Sequence, residues 1–492
     1  MMALGHRFAD EFPELCLPWN AAQVPEPSLA IFNDNLATEL GLDPGRLSGP
    51  EGVGVLAGNL VPEGATPVAL GYAGHQFGNY SPRLGDGRAL LLGELTKPDG
   101  RLVDIHLKGS GRTPFARGGD GKATLGPMLR EYIVSEAMCS MSVPTTRSLS
   151  VVMTGEGVYR DGIEPGAVLT RVAASHIRVG TFEYAIRLGG EDLVRRLADH
   201  CIERHHPDSD DSSNRYLGLL SAVVDAQAVL IAKWMSLGFI HGVMNTDNMT
   251  ISGEGIDYGP CAFMDAYDPS TVFSSIDHGG RYSYGNQARV ATWNLARLAE
   301  TMLGLFSDDT EAAVEMATET VNGFVDRFAQ HWNALMAAKL GFAEVPTNCE
   351  ELVSNLLTAM HKDRLDWTRA FRSLSGTLRA DSPGVSDPIA DDGSEQSAEL
   401  SEWISRWRAQ LSDSGVDHQD AATRMDSVNP VYIPRNHIVH DVLQDATAGS
   451  LTGFEELIEV LSDPFTERPG LERFAAGSSA QFAASFQTFC GT

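Results

Sequence analysis

Val103, Asp104, Ile105, His106, Leu107 and Lys108 alternate between apolar and polar, the period of a strand with one apolar face. The three apolar residues share one side, and Lys108 stands on the other with His106 and Asp104. The run Ala89 to Leu95 reads as a partner strand, because Lys97-Pro98-Asp99-Gly100 is turn chemistry that closes an antiparallel hairpin. Farther on, Pro127 suits a first helical turn. Leu129, Ile133 and Ala137 recur at helical spacing as far as Met141, leaving Glu131 and Ser135 on another face. A second strand pair is predicted at Ser148 to Met153 and Ala167 to Val172, split by a Gly-rich loop. Beyond Phe182 the period becomes helical, over Glu191 to Glu203, Tyr216 to Leu237, Ala288 to Leu305 and Thr310 to Leu340.

This pattern predicts an α+β chain with an N-terminal extension (1–66), a sheet-rich part (67–182) and a helical part (183–380). A run of Asp, Ser, Pro and Gly from Asp381 to Ser397 reads as a linker into a helical C-terminal extension, the two together spanning 381–492. No internal repeat is visible.

With 492 residues, 43% hydrophobic and 21% charged, the chain can bury a sizeable core. A formal net charge of −28 disfavours nucleic acid and anionic membranes as partners, since the long-range field repels both. An anionic ligand would therefore need a local basic pocket. Six scattered cysteines, with neither zinc spacing nor a dense framework, point to a reducing cytosol and a cytoplasmic location. The start, Met1 to Phe12, lacks the basic and apolar regions of a signal peptide. Leu217 to Met244, the longest apolar region, is interrupted by Asp225, Gln227 and Lys233, which suits a buried helix of a soluble protein better than a membrane span.

The chemistry concentrates in His241-Gly242-Val243-Met244-Asn245-Thr246-Asp247-Asn248 and, shortly after, Ile256-Asp257-Tyr258-Gly259. Protein kinases carry two magnesium ligands, an Asn and an Asp, on such a pair of loops, and Asn248 and Asp257 fit those positions. Five positions before the Asn, where a kinase has its base, stands Val243, which accepts no proton; a carboxylate does occur next door, at Asp247. Lys108 at a strand end and Glu131 on the following helix have the order of the ion pair that aims a kinase lysine at phosphates. Gly85-Asp86-Gly87-Arg88 and Gly118-Gly119-Asp120-Gly121 could turn backbone N–H groups toward phosphate, or be plain turns. Arg171 and Arg178 suit bidentate phosphate binding, or ordinary pairing with carboxylates. Asp247 could take a proton from a hydroxyl, or cap its own loop. His241 is expected to fix its loop by hydrogen bonding, while His75 and His278 lack partners at metal spacing.

Taken together, these segments resemble the selenoprotein O (YdiU) family, pseudokinase-like protein adenylyltransferases. The likeness rests on Tyr72 to Gly78, Leu84 to Ala89, Leu107 to Pro114, Leu169 to Val172, His241 to Asn248, Ile256 to Pro260, Asn429-Pro430 and Ile433 to His437. It implies a protein-kinase-like two-lobed fold with a helical C-terminal extension. It further implies that Gly85, Gly87, Arg88, Lys108, Asp120, Gly121, Arg171, Arg178 and Asp257 bind ATP, and that Asn248 and Asp257 hold Mg2+ or Mn2+. Asp247 would be the base, and ATP would lie inverted relative to a kinase, offering its α-phosphate to a Ser, Thr or Tyr hydroxyl of a protein and releasing pyrophosphate. Cys490 matches a Cys or selenocysteine that family members often carry near the C-terminus, a possible redox group. The stretch Ser270 to Ile276, where some members hold a partner cysteine, has none, and Cys261 is not taken as a substitute, so the resemblance supplies no partner for an intramolecular disulfide. Alternatives are UMP transfer from UTP with manganese, a kinase-like phosphotransferase, and a nucleotide-binding scaffold without catalysis.

Overall fold

The structure, a computed structural model, describes residues 2–379 and 397–489. One antiparallel sheet runs in the order Cys16–Pro18, Val68–Leu70, Ala89–Thr96, Leu102–Lys108, Ile163–Ala173, Arg147–Tyr159 and Ser28–Phe32, with Ala123–Thr124 added to Ile163–Ala173. The expected antiparallel hairpin is present: Leu95 faces Val103, Ala89 faces Lys108 beyond a register shift between Leu91 and Gly93, and the Lys97 N–H donates to the Arg101 carbonyl at 2.8 Å across the turn. Ile105 and Leu107 pack against Leu56, Leu149 and Val168 beneath the N-terminal helices. Asp104, His106 and Lys108 face the other way and are also buried, which polar groups tolerate only when paired.

Two expectations change. Residues 1–66 are not outside the sheet, since they supply the strands Cys16–Pro18 and Ser28–Phe32 at its two ends. The stretch between Met153 and Ala167 is not a loop either. Strands Arg147–Tyr159 and Ile163–Ala173 continue through it as a ribbon, and only Arg160–Gly162 turns. The glycines that suggested a loop serve close approach: a Cβ on Gly157 would stand 2.6 Å from Ile163 Cγ2, and one on Gly166 2.5 Å from Thr154 Oγ1.

Helix Leu125–Ser140 follows the short strand Ala123–Thr124 and buries Leu129, Ile133 and Ala137 in the main core. The later helices are Val179–His205, bent at Gly190 (φ 61°), Arg215–Ser236, Gln287–Phe306 and Thr310–Lys339. Arg215–Ser236 is long and apolar enough to cross a membrane, but Leu219, Leu220, Val223 and Val224 are buried in that core. Helices Cys349–Lys362, Trp367–Arg379, Ala398–Asp413 and His418–Val428 build a second core around Trp367, Trp403 and Trp407. The C-terminal helices Asn436–Thr447 and Thr452–Ser462 are no outlying appendage: they pack on Leu125–Ser140, with the Phe454 and Tyr132 rings 6.0 Å apart. Arg435, fully buried, clasps Asp265 at 2.7 Å and Asp366 at 2.6 and 3.0 Å and so ties that segment down. Residues 381–396 of the linker lie outside the described residues.

Candidate active site

Lys108 ends its strand beside Arg171 on the neighbouring one, while Arg178 precedes helix Val179–His205. All three cations converge on Asp257. Its Oδ1 accepts from Lys108 Nζ and from Arg171, each at 2.7 Å, and its Oδ2 accepts from Arg178 at 3.1 Å. Glu131 closes the cluster from the helix, accepting from Lys108 Nζ at 2.6 Å and from Arg171 at 2.5 and 3.0 Å. Burial alone would raise the Asp257 pKa, but the adjoining Lys108, Arg171 and Arg178 outweigh it and hold the carboxyl well below its usual range. Glu131 is lowered in the same way, burial being overcome by Arg171 and Lys108.

The cluster floors a cavity of about 390 Å³. Gly85, Gly87, Arg88, Lys108, Asp120, Gly121, Arg171, Arg178, Asp247, Asn248 and Asp257 all line it, gathered from sheet, turns and helical part. Glu131 lies behind the lining. Cys490 is outside the described residues. Gly85 (φ 118°) and Gly121 (φ 72°) have no room for a side chain, since a Cβ would stand 2.5 Å from the Phe115 ring and 2.3 Å from the Arg112 nitrogen respectively. Asp120 is tied to Arg160 at 2.9 and 3.1 Å, so that carboxylate positions an arginine at the cavity wall. Arg171 and Arg178 combine both readings of the sequence: each pairs with a carboxylate, and each lines the cavity.

Asp247 sits in the 3-10 turn Thr246–Asn248, almost wholly buried. Its Oδ2 accepts from Gln76 at 3.1 Å, whereas its Oδ1 is buried without a partner. Burial, only partly offset by Gln76 and Arg178, raises its pKa to about 6. Next to it, Asn248 spends its amide N–H on the Val243 carbonyl at 2.9 Å. His241 Nε2 donates to the Ile256 carbonyl at 2.8 Å and thereby joins the two loops, the bracing role its sequence suggested. Among the described residues no three His, Cys, Asp or Glu side chains gather as a metal cage.

Several supports were not singled out from sequence. Asp86 is buried beneath the cavity against His106 at 2.9 Å, and the Tyr72 ring lies 4.5 Å from the Arg178 guanidinium carbon. Glu183 accepts from Thr246 Oγ1 at 2.6 Å and pairs with His75, whose own N–H donates to Thr246 Oγ1 at 2.7 Å. The polar alternation at Asp104 and His106 hinted at such a layer, but partners from distant segments carry no local signal. Cys261 is buried, its thiol pushed up to about 12 chiefly by that burial, which makes it a poor redox partner.

Sequence comparison places the chain among protein nucleotidyltransferases. The family model described as "Protein adenylyltransferase SelO" matches residues 3–462. "Protein nucleotidyltransferase YdiU" of Mycolicibacterium smegmatis is 56% identical, the match covering 100% of this chain and 98% of the relative. Proteins of the same name from Pseudarthrobacter chlorophenolicus and Cereibacter sphaeroides are 54% and 52% identical, over 100% and 99% of this chain and 98% of each relative. The chain belongs to the SelO/YdiU family.

Proposed function

We propose that this chain transfers AMP from ATP to Ser, Thr or Tyr hydroxyls of proteins and releases pyrophosphate. The observation that carries the reading is the placement of Asp247. It lines the same cavity as the Lys108, Arg171 and Arg178 cluster, its buried Oδ1 has no hydrogen-bond partner, and Val243, in the slot of a kinase base, also lines that cavity. The family description supports adenylyl transfer. We also read the architecture as kinase-like in two lobes, because a strand lysine pairs with a glutamate on the next helix and faces loops from the helical part.

In the proposed reaction the acceptor O–H gives its proton to the Asp247 carboxylate as its oxygen forms a bond to the α-phosphorus. The bond from the α-phosphorus to the bridging oxygen breaks, and pyrophosphate leaves with the electron pair. Lys108, Arg171 and Arg178 stabilise charge on the triphosphate, and the Gly85–Arg88 and Gly118–Gly121 turns receive its outer phosphates, the inverted orientation. Asn248 and Asp257 supply hard oxygen donors suited to Mg2+ or Mn2+, which characteristically takes one or two protein ligands and completes its shell with phosphates and water. When bound, that ion would supply Lewis-acid chemistry, neutralising charge on the triphosphate.

Incubation with ATP labelled at the α or the γ position, and with UTP, tests this. Label on protein from α-labelled ATP is expected. Label only from the γ position means a kinase, preference for UTP means uridylyl transfer, and no label from any nucleotide means a scaffold.

A further inference from the structure

Helix Gln287–Phe306 braces the catalytic loop with one face: the His241 N–H donates to Gln287 Oε1 at 3.1 Å, and Asn294 Nδ2 donates to the Met244 carbonyl at 2.9 Å. Its opposite side lines an apolar groove of about 800 Å³, shared with helix Thr310–Lys339. Ala296, Leu303, Val321 and Phe328 line it, with Val314 (46% exposed) and Val325 (61%) at the surface. Apolar surface left open this way marks a contact site.

The groove runs up to the active-site mouth. Trp293 lines it and meets the His75 ring edge-on at 5.2 Å, while the neighbouring Gln76 donates to Asp247. At this end the surface is basic, against the −28 of the whole chain. Arg281 lies over Trp293 at 4.8 Å and Arg289 is exposed; neither forms a salt bridge among the described residues. Arg297 is neutralised by Glu300 at 2.6 Å. From Ala288 to Leu303 the groove follows about 22 Å of helix at 1.5 Å per residue, the length of a four-turn amphipathic helix.

We infer that this groove docks the protein substrate through an amphipathic helix whose acidic end lies over Arg281 and Arg289 and presents the acceptor hydroxyl to Asp247. The inference rests on the AMP-transfer reading for its role, but not for binding. Apolar residues at helical spacing would fill the groove, as in helix-in-groove recognition, and the acidic end would fix direction.

The probe is a fluorescein-labelled peptide of about 15 residues, four helical turns. It carries Leu at i, i+3, i+4 and i+7, and Glu residues with one Ser at one end; the control has the same composition scrambled. Fluorescence anisotropy on the full chain without nucleotide should show the amphipathic peptide binding at least tenfold tighter than the control. Val325→Glu and Arg289→Glu, both on the surface, should each remove most of that advantage while leaving the thermal shift with Mg-ATP unchanged. Equal binding of the two peptides, or undiminished binding by both variants, overturns the docking site. If the peptide discriminates as expected but α label never reaches its Ser, docking stands and AMP transfer falls. If label reaches the Ser equally in wild type and Val325→Glu, transfer stands and docking falls.

Discussion

Glu131→Gln removes one negative charge from the buried cluster of Lys108, Arg171, Arg178, Glu131 and Asp257, leaving Lys108 and Arg171 facing Asp257 alone, with Arg178 shared between Asp257 and Asp86. The shape and one acceptor oxygen remain, so the loss is electrostatic. Removing one partner of a buried ion pair costs about 3–5 kcal/mol, because the remaining charge stays desolvated. Unfolding entropy of about 2.1 cal/mol/K per residue gives roughly 1 kcal/mol/K for 492 residues, so the melting temperature should fall by about 3–5 °C. Differential scanning fluorimetry without ligand measures it. Glu399→Gln, which breaks the surface pair with Lys362, is the control and should leave the midpoint in place. A fall of less than about 1 °C for Glu131→Gln, or an equal fall for both variants, would refute the claim that desolvated charge holds this cluster together.

Asp247→Asn should abolish label transfer yet preserve the thermal shift with Mg-ATP, and the wild-type rate should drop as pH falls through about 6, where the carboxylate takes up its proton; a flat profile there removes Asp247 as base. Gly74→Ala would place a Cβ 2.6 Å from Asp247 Oδ1, so transfer should slow at least about tenfold with nucleotide affinity kept; an unchanged rate would mean the loop yields. Glu254 is raised to about 7, chiefly by burial, from an ordinary value of 4.5, so the folded chain holds a proton that the unfolded chain releases. The stability it supplies is complete below about 4.5 and is lost as pH rises through about 7, some 3 kcal/mol at 1.36 kcal/mol per pKa unit. Glu254→Gln should therefore gain on wild type in urea melts between pH 5 and 8, and parallel curves would contradict this. Asp257 and Glu131, both lowered, act in the opposite sense, their contribution failing as pH falls below the usual carboxylate range.

Local periodicity carried the hairpin, the Glu131 helix and the four long helices, because strand alternation and helical spacing are written in neighbouring residues. It failed at Gly157 and Gly166, where glycine makes room for the Ile163 and Thr154 side chains inside a ribbon and reads, from sequence, as a turn. The edge strands Cys16–Pro18 and Ser28–Phe32 are too short to show a period. In the candidate site, the loop residues and the Lys108–Glu131 pair were legible as motifs. The convergence of Lys108, Arg171 and Arg178 on a single carboxylate was not, since it joins segments up to 149 positions apart. Gln76 and Glu183 belong to the same class: their importance comes from the Asp247 turn they hold, which only the folded chain reveals.

The docking of helices Asn436–Thr447 and Thr452–Ser462 on the helix that carries Glu131 has a consequence for synthesis. A polypeptide emerging from the ribosome has Lys108 and the loops carrying Asp247 and Asp257 long before it has the two helices that back Glu131. Nascent and prematurely terminated chains lack that backing. The packing behind Glu131 is thereby completed only in molecules translated to about residue 462.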